Sequence, residues 1–498
     1  MTSANPSNPS KPSNPAGATG KLSNWIHSTN LSTVPAQVVT RAKYLILDGV
    51  TCALVGSHLP WSTIAAKSIF NMEPEGSCTV VGWGDKKLSP LAAAILNSTF
   101  IQGFELDDYH SVAPLHSNSL LLPALLSAAE MPTPAGDVPK TYSGSDVLLA
   151  YIIGCEVGPR VGLALHGADL LSRGWHSGAV QGPSASAAAV SSLLHLPPNQ
   201  VEDALGIACT QAGGLMSAQF GSMAKRMQHG FASRNGLYAA LLAQGGYTGI
   251  HEVYETPYGG FLSCFGQGAN FQPSYLPDEL VKGLGEKWEI DNIRVKLHAS
   301  MAVLHGTIDC VANLQRKHGD RMKAFDDIAS IVTEHSKPAF EHGGWVAPPD
   351  KPLTTTSAQM SIQYAAAAQL VDKQVLMAQF SAEKLNRPLL RELMAKITPT
   401  HNKELDRNEG PGMSWRTNMT VKFRDGTELK ESVKAPRGIE PAVSNEEIVD
   451  KWRRLVDGVL DVERREQIEK CVLSLEKLED VRELCRLLAG VVKSPIEA

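Results

Sequence analysis

The stretch GAVQGPSASAAAVS, residues 178–191, limits the fold more than any other part of the chain. It carries no bulky side chain, yet apolar residues follow it at helical spacing, so it is a helix rather than a low-complexity linker. A helix this slim lets neighbouring backbones approach closely, and it needs partners on several sides to be buried. It therefore belongs inside a helical body.

The flanking sequence supplies those partners. From Ser32 to Gly285 helical patterns recur, each with its own start signal. In STVPAQVVTRAKYLILDGVTCALVG, Thr33 lies near the cap and Pro35 in the first turn. Val39, Ala42, Leu45 and Ile46 form the apolar face, and Gly56 is the stop. Ser89 and Pro90 repeat the device in LSPLAAAILNSTFIQGFELDD. From about Trp288 the texture changes. WEIDNIRVKLH and DDIASIVTEHS alternate as strands, MAVLHGTIDCVANLQRK is helical, and SWRTNMTVKFRDGTELKESV is a hairpin turning at Asp425-Gly426. Ser444 and Glu447 then form a capping box, and helices resume. The expected fold is mainly α, a large all-helical domain with an inserted smaller α+β lid domain. Its boundaries are a disordered tail at 1–22, the helical domain at 23–287, the lid at 288–436, and a helical return at 437–498.

Composition narrows the function classes. A net charge of −5 and the lack of any long basic run argue against nucleic acid or an anionic membrane as partner. Eight cysteines without a CxxC pair point to buried thiols in a reducing compartment, not a disulfide or zinc framework. The Pro/Ser/Asn-rich start lacks the apolar core of a secretory signal. No segment is expected to be long and apolar enough to span a bilayer, which leaves a cytoplasmic enzyme or binding protein for small molecules.

Three polar segments stand out. ELDDYHSVAPLHSNS gathers Glu105, Asp107, Asp108, His110 and His116. If the preceding helix persists, Glu105 and Asp108 share a face, one is held protonated, and the histidines serve as acids or bases. Alternatives are a capped helix end facing water, or zinc or manganese held by Asp107, Asp108, His110 and His116, although no established metal spacing is present. SRGWHSGAVQG sets His176 at a helix entry, as an anion-binding group or as a packed core histidine. GSMAKRMQHGFASRNG concentrates Lys225, Arg226, His229 and Arg234 in the least charged part of the chain, where burial calls for an anionic ligand; a solvated loop is the alternative. RVKLHASM adds Lys296. No GxSxG, phosphate loop or dinucleotide motif appears. Such a site suits a polycarboxylate and proton movement at carbon, with Glu105, His110, Arg226, His229 and Lys296 binding and His116, His176, Asp108 and Lys225 acting in catalysis.

With these residues in view, the chain resembles the MmgE/PrpD family, which includes 2-methylcitrate dehydratases and cis-aconitate decarboxylases, and looks most like the fungal decarboxylases. The resemblance runs through RAKYLILDG, FIQGFELDDYH, PLHSNS, GWHSGAV, EDALGIACTQAGGLMSAQ, KRMQHGFASRNG, YGGFL, VKLHASM and VKFRDG. It implies a homodimer, catalysis without metal or organic cofactor, and site positions at Glu105, Asp108, His116, His176, Lys225 and Lys296. A family tyrosine in the lid has no counterpart near KPAFEHGGW, where Phe340 and His342 stand. Ala299, Ser300, Met301, Gln181 and Asn118 are further departures that bear on the substrate. The implied reaction is decarboxylation of cis-aconitate or an alkyl analogue. The alternatives are dehydration of citrate, 2-methylcitrate or a 2-alkylcitrate, and a scaffold that has lost its chemistry.

Overall fold

A computed structural model describes residues 11–132, 140–348, 351–407 and 414–496. The fold is mainly α. The first half holds α1 (Ala18–Ser28), α2 (Ala36–Gly56), α3 (Pro60–Met72), α4 (Pro90–Ile101), α5 (Ser117–Ala129), α6 (Gly144–Ala164), α7 (Asp169–Ser172), α8 (Ser177–Leu193), α9 (Pro198–Cys209), α10 (Gln228–Gln244) and α11 (Phe261–Phe265). Two short antiparallel pairs interrupt the helices, β1 (Cys78–Thr79) with β2 (Lys87–Leu88), and β3 (Tyr109–His110) with β4 (Ile293–Arg294).

The slim helix is central, as its composition requires. α8 packs against α5, α6, α9 and α10. Small residues set the spacing on both sides: a Cβ at Gly158 of α6 would come within 2.8 Å of Ala185 Cβ, and one at Gly236 of α10 within 2.6 Å of the Ala187 backbone nitrogen. We expect Gly236→Ala to cost about 1–3 kcal/mol through overpacking, read as a lower denaturation midpoint. α6 is long and apolar enough to cross a membrane, contrary to the sequence expectation, but 89% of its most apolar window is buried against its neighbours.

The second half begins with α12 (His305–Lys317). It continues through β5 (Ile328–His335), α13 (Lys337–Gly343), α14 (Thr355–Gln359), α15 (Ile362–Asp372), α16 (Ala382–Leu385), α17 (Pro388–Ala395), β6 (Ile397–His401), β7 (Thr417–Phe423) and β8 (Glu428–Val433). The strands form one sheet in the order β6-β5-β7-β8, in which only β5 and β6 run parallel. Of WEIDNIRVKLH, only Ile293 and Arg294 form a strand, because residues 289–292 coil into a 3-10 turn. α18 (Asn445–Leu455), opened by the Ser444–Glu447 capping box, and α19 (Val462–Leu473) pack on α2, while α20 (Arg482–Ala489) packs by β1.

Residues 18–22, expected within the disordered tail, lie in α1. Residues 1–10 lie outside the described part, but from Ser13 onward the chain is bound: Ser13 N and Oγ each donate to Glu202 at 2.6 Å, and Asn14 Nδ2 donates to Glu252 at 2.7 Å. α1 then packs on α9. Low-complexity composition concealed the match between these short polar side chains and a row of distant glutamates. The cysteines also depart in part, since Cys264 is exposed and Cys471 half-buried.

Candidate active site

The site begins where α4 stops. After Ile101 the chain turns through a 3-10 segment and Glu105 takes a left-handed backbone, φ 56°. Glu105 and Asp108 therefore do not share a helix face. A left-handed glutamate needs its surroundings to hold it, and here three cations do. The Glu105 carboxylate contacts the Lys225 ammonium, lies 3.1 Å from Arg226 Nη1 and 3.3 Å from Lys296 Nζ. Burial, with Arg226 and Lys296 nearby, pushes the Lys225 pKa down.

The two aspartates face different partners. Asp107 is fully buried, its Oδ2 2.9 Å from His116 Nδ1 and its Oδ1 3.7 Å from Lys296 Nζ. Burial pushes its carboxyl up, but His116 and Lys296 outweigh that and hold it at about 2, so it stays ionised. Asp108, expected to be catalytic, faces the other way. Its two oxygens accept from the Ser117 and Asn118 backbone N–H groups, both at 3.0 Å, and so close the start of α5. Burial, then the charge of Asp107, raises its carboxyl to about 7. Asp108 does not border the cavity. The acid partner of His116 is Asp107, which the sequence offered only as a metal ligand.

His116 and His176 occupy matching places, each the cap residue of a helix, α5 and α8. His229 of α10 stands between them, edge-on to both rings with centroids 4.9 and 4.8 Å away. It is fully buried and off the cavity wall, and neither of its ring nitrogens has a hydrogen-bond partner among the described residues. Arg226 is also behind the wall: it donates to Gln359 Oε1 at 2.5 Å and covers the Trp61 ring at 5.4 Å, tying α14 to the helical body. His110 borders the cavity, but both its nitrogens are engaged. Nδ1 accepts from Ala113 N–H at 2.9 Å, which leaves Nε2–H to donate to Glu289 at 3.2 Å. Of the residues expected to bind substrate, Arg226 and His229 thus lie behind the cavity wall, while His110 borders it. These contacts also separate the four residues considered for a metal, since Asp108 and His110 face different partners from the Asp107–His116 pair.

Glu105, His116, His176, Lys225 and Lys296 all border one cavity of about 420 Å³. The wall is completed from distant segments, including Met216, Phe271, Met301, His342 and Trp415. Trp415 sits 6.0 Å from the Tyr109 ring, and no spacing in the sequence marked it. His342 reaches the cavity where Phe340 does not; Phe340 stacks on His401. Gln181 and Asn118 are buried behind the wall, Asn118 donating to the Leu45 carbonyl and accepting from the Tyr151 hydroxyl.

Burial sets the acid behaviour of the fold. It lowers His176 to about 4, with His116 adding to the effect, and lowers His335 to about 4, from an ordinary 6.5. At pH 5 the unfolded chain binds protons on these imidazoles that the folded chain does not. Stability therefore falls as pH drops from about 6.5 to about 4, by up to about 1.4 kcal/mol per pH unit for each histidine. His335→Gln should shrink the loss between pH 7 and pH 5, measured by urea unfolding.

Comparison with known proteins assigns the family. Residues 20–274 match the MmgE/PrpD N-terminal domain and residues 298–477 the MmgE/PrpD C-terminal domain. The chain belongs to the MmgE/PrpD family. Within it, the chain is 50% identical over 474 residues to the cis-aconitate decarboxylase-like protein oryM of Aspergillus oryzae, covering 95% of this chain and 97% of that one. It is 45% identical over 484 residues to a cis-aconitate decarboxylase of Aspergillus terreus, covering 96% and 97%. The Homo sapiens cis-aconitate decarboxylase is 28% identical over 483 residues, covering 95% and 94%. The MmgE/PrpD resemblance in the sequence motifs is thus a family relationship along nearly the whole chain.

Proposed function

We propose that this chain is a carboxy-lyase that converts cis-aconitate, or a close analogue, to itaconate and CO2. The near-full-length likeness to proteins bearing that name carries the reading, and the cavity chemistry supports it. A tricarboxylate needs cations, and Lys225 and Lys296 stand on the wall to receive two carboxylates. The third leaves as CO2. Its electron pair forms a new C=C bond with the central carbon, the old double bond shifts, and a proton is added at the far alkene carbon. His116 is the proposed donor, oriented through Nδ1 by ionised Asp107, which also steadies the imidazolium. His176, whose depressed pKa a bound tricarboxylate would raise, is the second candidate acid, and Glu105 keeps the lysines and Arg226 from standing uncompensated.

The finer architecture is proposed with it: residues 288–436 act as a lid over the helical body, the protein works as a homodimer, and it resides in the cytoplasm. Incubating the purified protein with cis-aconitate, citrate and 2-alkylcitrates, and following CO2 against water loss by mass spectrometry, tests the reaction. Water loss without CO2 would make it a dehydratase.

A further inference from the structure

We infer that the start of α8 is a carboxylate subsite, in which the backbone N–H groups of Ser177 and Gly178 and the His176 ring hold one arm of the substrate. The inference rests on the proposed function for the identity of the acid alone. α5 and α8 both open on a His-Ser pair, His116-Ser117 and His176-Ser177, with the histidine as cap residue. At α5 the first two N–H groups, of Ser117 and Asn118, donate to Asp108 at 3.0 Å, away from the cavity. At α8 the matching groups of Ser177 and Gly178 have no acceptor among the described residues, and Ser177 borders the cavity. The protein supplies its own carboxylate to the start that faces inward and none to the start at the cavity.

The side chains around this start point the same way. His176 is 8% exposed and borders the cavity, and its buried Nδ1 meets no partner in another described residue. His229, whose ring nitrogens are likewise unpartnered, presses on the same turn, where a Cβ at Gly178 would collide with its Nε2. Buried polar atoms without partners are costly and rare. Here they crowd one helix start that already favours an anion through its free N–H groups and its dipole. A carboxylate gives the N–H groups and the His176 ring the acceptor they lack. Only His229 separates the His176 ring from His116, and the Asp107 partner of His116 reaches Lys296, so one small acid spans both places.

Chemistry selects the arm. The pair from the broken carbon–carbon bond forms the new C=C, and the old π pair moves to the far alkene carbon and into the carboxylate it bears. That group becomes an enediolate, and fixed N–H donors stabilise the added charge until a proton reaches the carbon. Burial lowers the His176 pKa to about 4, with His116 adding to the effect, and a carboxylate beside the ring raises it again.

Ser177→Pro removes one N–H at the first helical position, where proline is well tolerated, and the extended backbone of His176 before it accommodates the ring. Ser177→Ala is the reference, because it keeps the N–H and loses only the hydroxyl that donates to the Pro114 carbonyl. In calorimetry, tricarballylate, a saturated tricarboxylate that cannot react, should bind Ser177→Pro about 10- to 100-fold more weakly than Ser177→Ala, with melting curves confirming both folds. Against the same reference, kcat for CO2 release should fall about 100- to 1,000-fold. Equal tricarballylate binding by the two variants overturns the subsite. A crystal structure of the unsubstituted protein with tricarballylate reads it without any variant. A carboxylate within hydrogen-bond distance of the Ser177 and Gly178 nitrogens is expected, and carboxylates placed only elsewhere overturn the inference. Water loss from citrate without CO2 from cis-aconitate, with the binding difference intact, overturns the proposed decarboxylation and leaves the subsite standing.

Discussion

Replacing His116 by alanine will lower kcat for CO2 release by about 100- to 10,000-fold, the usual worth of a positioned acid or base, with the fold retained. The second half of that expectation comes from the cap position. The His116 side chain makes no capping hydrogen bond to α5; Asp108 does that work through the Ser117 and Asn118 N–H groups. Alanine therefore removes an imidazole without unfastening the helix. Two companions separate the roles of the adjacent aspartates. Asp107→Asn should lower kcat by about 10- to 100-fold, because the carboxylate that fixes the His116 ring is gone. Asp108→Asn should act on the melting temperature more than on kcat, since one of its two N–H acceptors becomes an amide donor facing a donor. If the Asp108 variant loses turnover and the Asp107 variant does not, the assignment of the acid partner is reversed. An active, folded His116→Ala enzyme would move the proton donor to His176.

How far the sequence anticipates this site depends on whether a residue's role is local. Ser89 before Pro90, the Ser444–Glu447 box and the Asp425-Gly426 turn depend on neighbours a few positions away, and each sits where its pattern predicts. His116, His176, Lys225 and Lys296 reach one cavity, as a need for countercharge in an apolar environment suggests. Asp107 was not separable from Asp108 by spacing. Their directions follow from the unwinding after Ile101 and from the left-handed backbone at Glu105, which is held by cations more than a hundred residues away. Arg226 and His229 carry the composition of ligand-binding residues but spend it on Gln359, Trp61 and two imidazoles. Trp415 comes from a loop and Met216 from a short 3-10 turn, neither with a periodic signal. The apolar wall therefore became visible only once the chain was folded.

A single lysine from the C-terminal helices holds the segment on which this geometry rests. Lys451 of α18 is 2% exposed, and its Nζ lies 2.6 Å from Asp48 Oδ1 on α2 and 2.7 Å from the Leu106 carbonyl, which it serves as donor. Leu106 joins Glu105 to Asp107, so the ammonium group fixes the backbone between the two site carboxylates. Burial raises the Asp48 carboxyl and Lys451 opposes that rise. Lys451→Met keeps the length of the side chain but leaves Asp48 buried without its partner, at an expected cost of about 3–5 kcal/mol. Adding Asp48→Leu to Lys451→Met should recover most of that loss, because no uncompensated charge then remains. Turnover should not recover with it. The Leu106 carbonyl still lacks its donor in the double variant, and Glu105 and Asp107 lose the anchor between them, so kcat stays low in a protein whose denaturation midpoint is near the starting value. Recovery of both together would mean that Lys451 contributes charge balance alone and that the site segment is held by its own ion pairs.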